Sequence, residues 1–170
     1  MSGLFKGAGY VAQATSQMQQ AEINAAQAKV TGQGYQASAV LAEQEAEAIG
    51  KSGAYEEAKL LREKKQILGK QRAAYAKSGV RFDEGSPLEV MADSATGYEM
   101  DISAKRYNVA TTVAQKEYKA TYYKSLSGYY QNILAPAYRR AGRYGATATL
   151  LTGAGDIFSD MEKTASGGVG

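Results

Sequence analysis

The stretch AYAKSGVRFDEGSPLEVM, residues 74–91, lies between two long helix-forming segments and decides the fold. Residues 77–80 (KSGV) have the pattern of a helix end, because Gly79 supplies the left-handed backbone that follows a last helical turn. Residues 86–89 (SPLE) read as a helix start, with Ser86 as the N-cap, the proline after it as the first helical residue, and a glutamate that completes a capping box. The stretch therefore predicts two helices joined by a turn at about residues 79–86.

The segment before the turn, from Gly9 to Gly79, is rich in residues that form helices readily: Ala, Gln, Glu and Lys. Apolar pairs recur in it about every seven residues, which is typical of a long helix that packs along its length. These pairs are Val40/Leu41, Ala48/Ile49, Ala54/Tyr55, Leu60/Leu61, Ile67/Leu68 and Ala74/Tyr75. Internal glycines weaken the helix, so we expect a break or kink near 32–34 and a second one near 50–53.

The segment after the turn carries a continuous apolar stripe with spacings of three and four residues. The stripe comprises Leu88, Met91, Ala95, Tyr98 and Ile102, and is extended by Val109 and Val113. This helix is predicted to reach about Leu134, just before Pro136. The fold class is therefore all-α, a long antiparallel helical hairpin with flexible Gly/Ala-rich termini. The predicted segments are an Ala/Gln-rich arm with a Gly break (1–34), the hairpin (35–134) and a small-residue tail (135–170).

The composition argues against a large private core. The 170 residues include no Trp and only three Phe, and the hydrophobic fraction of 44% depends largely on Ala and Tyr. Such a chain completes its apolar seams against neighbouring copies, so we expect a homo-oligomer. No stretch reaches the roughly 18 apolar residues of a membrane-spanning helix.

The residue types that carry most catalysis are missing. Without Cys there is neither a disulfide framework nor a Cys-based metal or redox site, and without His the commonest general base and metal ligand is absent. Glu43, Glu45 and Glu47 are two residues apart and fan around a helix, and the acids between 83 and 101 do not have the spacing of a calcium loop. We expect no enzymatic activity, no cofactor and no metal.

Charge is unevenly distributed. Residues 51–81 contain nine Lys or Arg and three Glu, whereas residues 83–101 contain six acids and no base. The basic run is a candidate DNA-facing surface, and the alternative is an ordinary solvated helix face. Its residues are Lys59, Arg62, Lys64, Lys65, Lys70, Arg72 and Lys77.

Two further surfaces are candidates for contact with other molecules. Among the 13 tyrosines, Tyr118, Tyr122 and Tyr129 share a helix face that we expect at a subunit interface, the alternative being packing within the hairpin. The small, apolar segment 145–158 is a candidate membrane contact, and the alternative is a mobile tail that docks in an assembly. Its contact residues would be Leu150, Leu151, Ile157 and Phe158.

The order of these features resembles one known family. An Ala/Gln-rich helix leads into KKQILGKQRAAYAKSGVRFDEGSPLEVMADSATGYEMDISAKRYNVATTVAQKEYKATYYKSLSG, with a helix end at 72–74, a glycine turn at Gly79 and a cap at 85–87. This arrangement, over about residues 60–130, is similar to the small internal virion proteins of short-tailed bacteriophages, which belong to the DNA-ejection apparatus.

The resemblance implies a helical virion protein stored in or near the portal and released with the genome to form a ring in the host envelope. Its partners would then be other copies of itself, the portal or other core and ejection proteins, double-stranded DNA in passage and the host envelope membrane. It would be found in the virion, and in the host cell envelope after ejection. The alternative is a static head–tail adaptor, plug or tail structural protein that stays in the particle.

Overall fold

The computed structural model describes residues 2–81 and 84–166, and all regular structure in these ranges is helical. Helix α1 covers Ser2–Lys77 and α2 covers Ser86–Gly128. A six-residue π-helical segment, Tyr129–Leu134, leads into α3, Ala135–Ser166. The predicted all-α class is confirmed, and the long helices pack against each other.

Helix α1 ends in the way that residues 77–80 predict. Gly79 has a φ of +71°, and its backbone N–H donates to the carbonyl of Ala76. The N–H of Val80 donates to the carbonyl of Tyr75 at 3.1 Å, so the two bonds together form a Schellman cap. The carbonyls of Tyr75 and Ala76 are thereby satisfied, and the helix ends at Lys77.

The start of α2 differs from the prediction by one residue. Gly85 has a φ of +68°, and its carbonyl accepts the backbone N–H groups of Leu88 and Glu89 at 3.1 and 3.3 Å. Gly85 is therefore the N-cap, and Ser86 is the first helical residue instead of the cap. The assignment of Ser86 as N-cap is wrong because the positive φ that breaks the helical path belongs to the glycine before it.

The chain forms two compact units, and the first to consider is residues 39–122, here called the hairpin unit. Its two helices run antiparallel, because partner numbers on α2 rise as those on α1 fall. Gln71 donates to Ser94, Lys64 pairs with Glu99, and Glu45 accepts from Lys116. The antiparallel hairpin predicted for this region is therefore present in the unit.

The seam of the hairpin unit has the predicted period of about seven but a different set of residues on α1. Ala39, Ala42 and Ala46 are buried, whereas the larger Val40 and Leu41 are exposed. Small side chains let the two helices approach closely, and the larger apolar groups are left on the outside. The predicted stripe is thus partly displaced from the seam.

On α2 the predicted stripe is largely confirmed. Met91 and Ile102 are buried, Val109 is partly buried, and only Leu88, at the start of the helix, is exposed. Close approach is clearest at Gly53, where an added Cβ would lie 2.6 Å from a methyl group of Val109. No side chain fits at Gly53 unless Val109 moves. Helix α1 continues through this glycine, so the expectation of a break near 50–53 is wrong.

The second compact unit, here called the terminal unit, comprises Met1–Ser38 and Tyr123–Gly170. The N-terminal part of α1 packs antiparallel on the π segment and α3. Arg139 donates to Glu22 at 3.0 Å, and Lys6 pairs with Asp160 at 2.5 Å. Its seam is again built from small residues, with Ala25, Ala28 and Ala135 buried together.

The terminal unit corrects two expectations. The helix α1 continues through Gly32 and Gly34, so the expected break there is wrong. Gly32 is buried, and an added Cβ would lie 2.6 Å from Gln131 Cγ. The close packing that glycine permits outweighs its cost in helix propensity, about 1 kcal/mol. The C-terminal segment is also not a flexible terminus up to residue 166, because it forms α3; residues 167–170 lie outside the described range.

The π segment lies beside a cluster of tyrosines in the terminal unit. The ring of Tyr35 lies 6.1 Å from that of Tyr123 and 5.5 Å from that of Tyr130, and Tyr129 meets Tyr130 edge-on at 5.7 Å. The N–H of Ala135 donates to the carbonyl of Tyr130, five residues back, which is the bond that defines a π turn. Part of the tyrosine content is thus used within the chain.

Candidate assembly surfaces

The seven basic candidates do not form one surface. Lys64 lies partly buried at the seam of the hairpin unit, where it pairs with Glu99 of α2. The other six are exposed. Successive residues turn by about 100° around a helix, so they divide into three sets. One flank of α1 carries Lys59, Lys70 and Lys77, the opposite flank carries Lys65 and Arg72, and only Arg62 lies on the face directed away from α2.

The flank set is the better candidate for contact with an anion. Spacings of 11 and 7 residues place Lys59, Lys70 and Lys77 in a line along the helix. Lys59 forms an ion pair with Glu63, whose carboxylate lies 3.8 Å from the lysine Nζ. Lys70 and Lys77 therefore offer the least compensated positive charge of this line.

Ion pairs across the seam of the hairpin unit hold the helices in register. Besides Lys64–Glu99 and Lys116–Glu45, the unit contains Lys105–Glu56 and Arg106–Glu57. The pKa of each of these four glutamates is lowered, first by the hydrogen bond from its basic partner and then by that partner's charge. At Glu57 the opposing effect of desolvation, which raises the pKa, is larger than the effect of the Arg106 charge but smaller than that of the hydrogen bond. These pairs are partly exposed, so their role is register more than stability.

The predicted interface tyrosines are all exposed. Tyr118 and Tyr122 lie in the hairpin unit and point away from the seam, while Tyr129 lies in the terminal unit. Tyr118 also borders a shallow apolar depression on α2, together with Thr111 and Ala114. Their surface positions are compatible with an interface role, which stays a prediction.

Within the hairpin unit, sequence reasoning misses two exposed tyrosines. Tyr55 on α1 is 67% exposed and Tyr107 on α2 is 72% exposed. The sequence pattern places Tyr55 in the packing stripe, and nothing in it distinguishes Tyr107 from the other tyrosines. Their positions could have identified them. Tyr55 is two residues from the seam residue Gly53, and Tyr107 is two residues from the seam residue Val109, so each lies about 200° around its helix, on the outside.

The candidate membrane residues are divided by the structure. Ile157 faces α1, because a Cβ added at Gly7 would lie 3.4 Å from its Cδ1 atom. Leu151 and Phe158 are 69% and 68% exposed, and Leu150 is less so. Leu151 and Phe158 are seven residues apart and follow the exposed Tyr144 at the same spacing, so these three share an outer stripe of α3.

The described residues contain no grouping of three or more acidic side chains placed to bind a metal ion. Within the same part of the chain, no helix has the length and apolarity needed to cross a lipid bilayer.

No protein-family model, curated protein or solved structure matches this chain. The fold and surfaces themselves define the chain as an all-helical protein built on antiparallel helix pairs with small-residue seams.

Proposed function

We propose that the chain is a bacteriophage virion structural protein of the internal core or DNA-ejection apparatus, and that its copies form an oligomeric helical conduit for genome delivery across the host envelope. The observation that supports the proposal is that the buried side chains are small, whereas large apolar side chains are exposed. Ten of the twelve buried hydrophobic residues among those described are Ala, whereas Val, Leu, Met and Tyr side chains are exposed along all three helices.

Large apolar side chains on the outside of the chain support an assembled state. Exposed apolar side chains that repeat at helical spacing mark surfaces for other helices. Leu151 and Phe158 form one such row, and Met100 and Tyr107 form another on α2. The phage assignment itself depends on the resemblance of residues 60–130 to the small internal virion proteins.

A conduit for DNA needs cations that are not used for folding. Lys70 and Lys77 meet this need, as does Lys59 in part, because they lie along a flank of α1 and not in its seam. Removing one phosphate-binding cation from such a surface reduces the salt dependence of DNA binding by about 0.9 in the slope of log K against log salt.

The DNA contact is tested by titrating the assembled protein with duplex DNA at several salt concentrations. We expect Lys70→Gln/Lys77→Gln to lower the salt slope, and the matched control Lys29→Gln/Arg140→Gln, which removes two exposed cations of the terminal unit, to lower it less. Equal slopes for both variants and the unmodified chain would remove the flank from the DNA-binding surface.

The location is tested by mass spectrometry of particles before and after DNA release. An ejection protein leaves with the genome, so its peptides should be strongly depleted from emptied particles. Retention of the full complement would favour the static head–tail adaptor or plug.

The envelope contact is tested by liposome flotation of the assembled protein with and without Leu151→Ser/Phe158→Ser. A single copy offers little apolar surface, so binding should depend on assembly and should be abolished in this variant. Flotation that survives the substitutions would place the contact elsewhere.

A further inference from the structure

We infer that the hairpin units of two copies dock side by side, the outer face of α1 in one copy against the outer face of α2 in the next. Each outer face is the side of its helix directed away from the seam within the chain. The α1 outer face carries Tyr55 and Arg62, with Lys65 and Arg72 along one edge of it, and the α2 outer face carries Glu89, Asp93, Met100 and Tyr107. This interface rests on the proposed function, because it specifies how a ring of this chain would be joined.

The two faces carry opposite charges at the same level of the hairpin. The hydrogen bond from Gln71 to Ser94, at 2.9 Å, fixes which residues of α1 and α2 are level. The neighbouring residues Arg72 and Asp93 are both exposed, on the two helices. Among the described residues, neither takes part in an ion pair within the chain, so both charges are available to another copy.

The two faces also carry aromatic groups at one common level. The ion pairs Glu56–Lys105 and Glu57–Arg106 place Tyr55 level with Tyr107. Tyr55 and Tyr107 are 67% and 72% exposed, and each lies about 200° around its helix from a seam residue. Tyr is favoured at subunit interfaces because it buries a large area with little loss of conformational freedom.

The charged and aromatic positions match in spacing. At a rise of 1.5 Å per residue, Tyr55 and Arg72 are about 26 Å apart along α1. Along α2, Tyr107 is about 21 Å from Asp93 and about 27 Å from Glu89, so Arg72 lies within reach of both acids when the tyrosines meet. A neighbour of the same orientation can therefore bring tyrosine against tyrosine and Arg against acid at once. The resulting helix contact is antiparallel, like the seam within each chain.

The partner that fits both faces is another copy of this chain. The contact uses different surfaces on the two copies, so it is heterologous and each copy keeps one face of each kind for a further neighbour. Repetition closes a ring or extends a filament in which α1 and α2 alternate. The flank lysines Lys70 and Lys77 lie outside the contact and stay accessible.

The test is a pair of charge-reversed variants studied by sedimentation velocity. Lys65→Glu/Arg72→Glu makes both outer faces acidic, and Glu89→Lys/Asp93→Lys makes both basic. Each variant alone should self-associate at least about tenfold more weakly than the unmodified chain, because like charges would face each other. An equimolar mixture of the two should recover association, since each then meets an opposite face.

A chain that carries all four substitutions provides a control for folding. It should associate with itself as the unmodified chain does, yet exclude the unmodified chain from its assemblies. Circular dichroism of every variant checks that helix content is retained. Failure of the mixture and of the four-substitution chain to associate would overturn this interface.

Cross-linking gives an independent measurement, since the chain contains no cysteine. A mixture of Tyr55→Cys and Tyr107→Cys chains should form the mixed disulfide dimer on oxidation. Predominant Tyr107→Cys homodimers would instead indicate a two-fold contact and contradict the proposed one. Assembly unaffected by either charge variant would overturn the interface alone, whereas an unmodified chain that stays monomeric would overturn the proposed function as well.

Discussion

Substitution of Gly142 by alanine tests the close helix contact of the terminal unit. A Cβ added at Gly142 would lie 2.2 Å from the Cβ of Ala21 on α1. Carbon atoms in contact are normally about 3.5–4.0 Å apart, so the helices must separate by about 1.5 Å at this level. Neither methyl group can rotate away, because each is attached directly to a helical backbone.

The expected effect combines two opposing contributions. Overpacking of a close contact costs about 1–3 kcal/mol, and replacement of a helical glycine by alanine returns about 1 kcal/mol. Gly142→Ala should therefore lower the free energy of unfolding by up to about 2 kcal/mol. At Gly34 an added Cβ would meet nothing within 4 Å, so Gly34→Ala should raise stability by about 1 kcal/mol.

The assay is urea unfolding followed by circular dichroism at one fixed protein concentration. The double variant Ala21→Gly/Gly142→Ala moves the methyl group from one helix to the other and should restore most of the stability. The coupling between the two sites would then equal the steric cost, about 1–3 kcal/mol. If Gly142→Ala stabilises the chain as much as Gly34→Ala does, the close approach of α1 and α3 is wrong.

Two further predictions concern the hairpin unit and its turn. Gly79→Ala should cost about 1–2 kcal/mol, because alanine is strained at a φ of +71°. Ser86→Ala lies past the N-cap and should change the free energy of unfolding by only a few tenths of a kcal/mol. Urea midpoints would show the reverse order if Ser86 were the cap. Stability should also depend on pH, because the seam glutamates have pKa values below their ordinary 4.5. Their contribution is fully present above that value and is lost as pH falls through it towards the lowered values. Midpoints at about pH 3 should therefore fall modestly below those at about pH 7, and the difference should shrink in high salt. A midpoint unchanged by acid would show that these pairs set the register without adding stability.

The turn and the second helix are accessible from sequence because their signals are local. Gly79 ends α1 through its own backbone preference, and the stripe containing Met91 and Ile102 has large side chains at helical spacing. The predicted N-cap is misplaced by one residue because Gly85 and Ser86 are both good candidates, and only the backbone angle distinguishes them.

The sequence does not reveal which residues of α1 face the seam, because the seam residues are small. Sequence reasoning follows large apolar groups, such as Val40 and Leu41, yet these are exposed, and Ala39 and Ala42 are buried. A buried alanine and an exposed one look alike in sequence, since the choice depends on what the opposite helix places there. For the same reason Gly32 reads as a break, although its lack of a side chain is what permits contact with Gln131.

The basic run shows a similar limit on site prediction. Charge counting finds its residues but cannot separate Lys64, which pairs with Glu99 across the seam, from Lys70, which lies on an exposed flank. Partners 35 residues away in sequence are decided by the register of the hairpin, and no local pattern encodes that register.

Native mass spectrometry of the unmodified chain over a range of concentrations tests the central claim most directly. Seams made of alanine and glycine leave the larger apolar side chains outside, where neighbouring copies can cover them, so the proposal predicts one discrete oligomer with a defined copy number that is more helical and more stable than its dissociated form. A compact monomer at every concentration, with high thermal stability, would contradict the account.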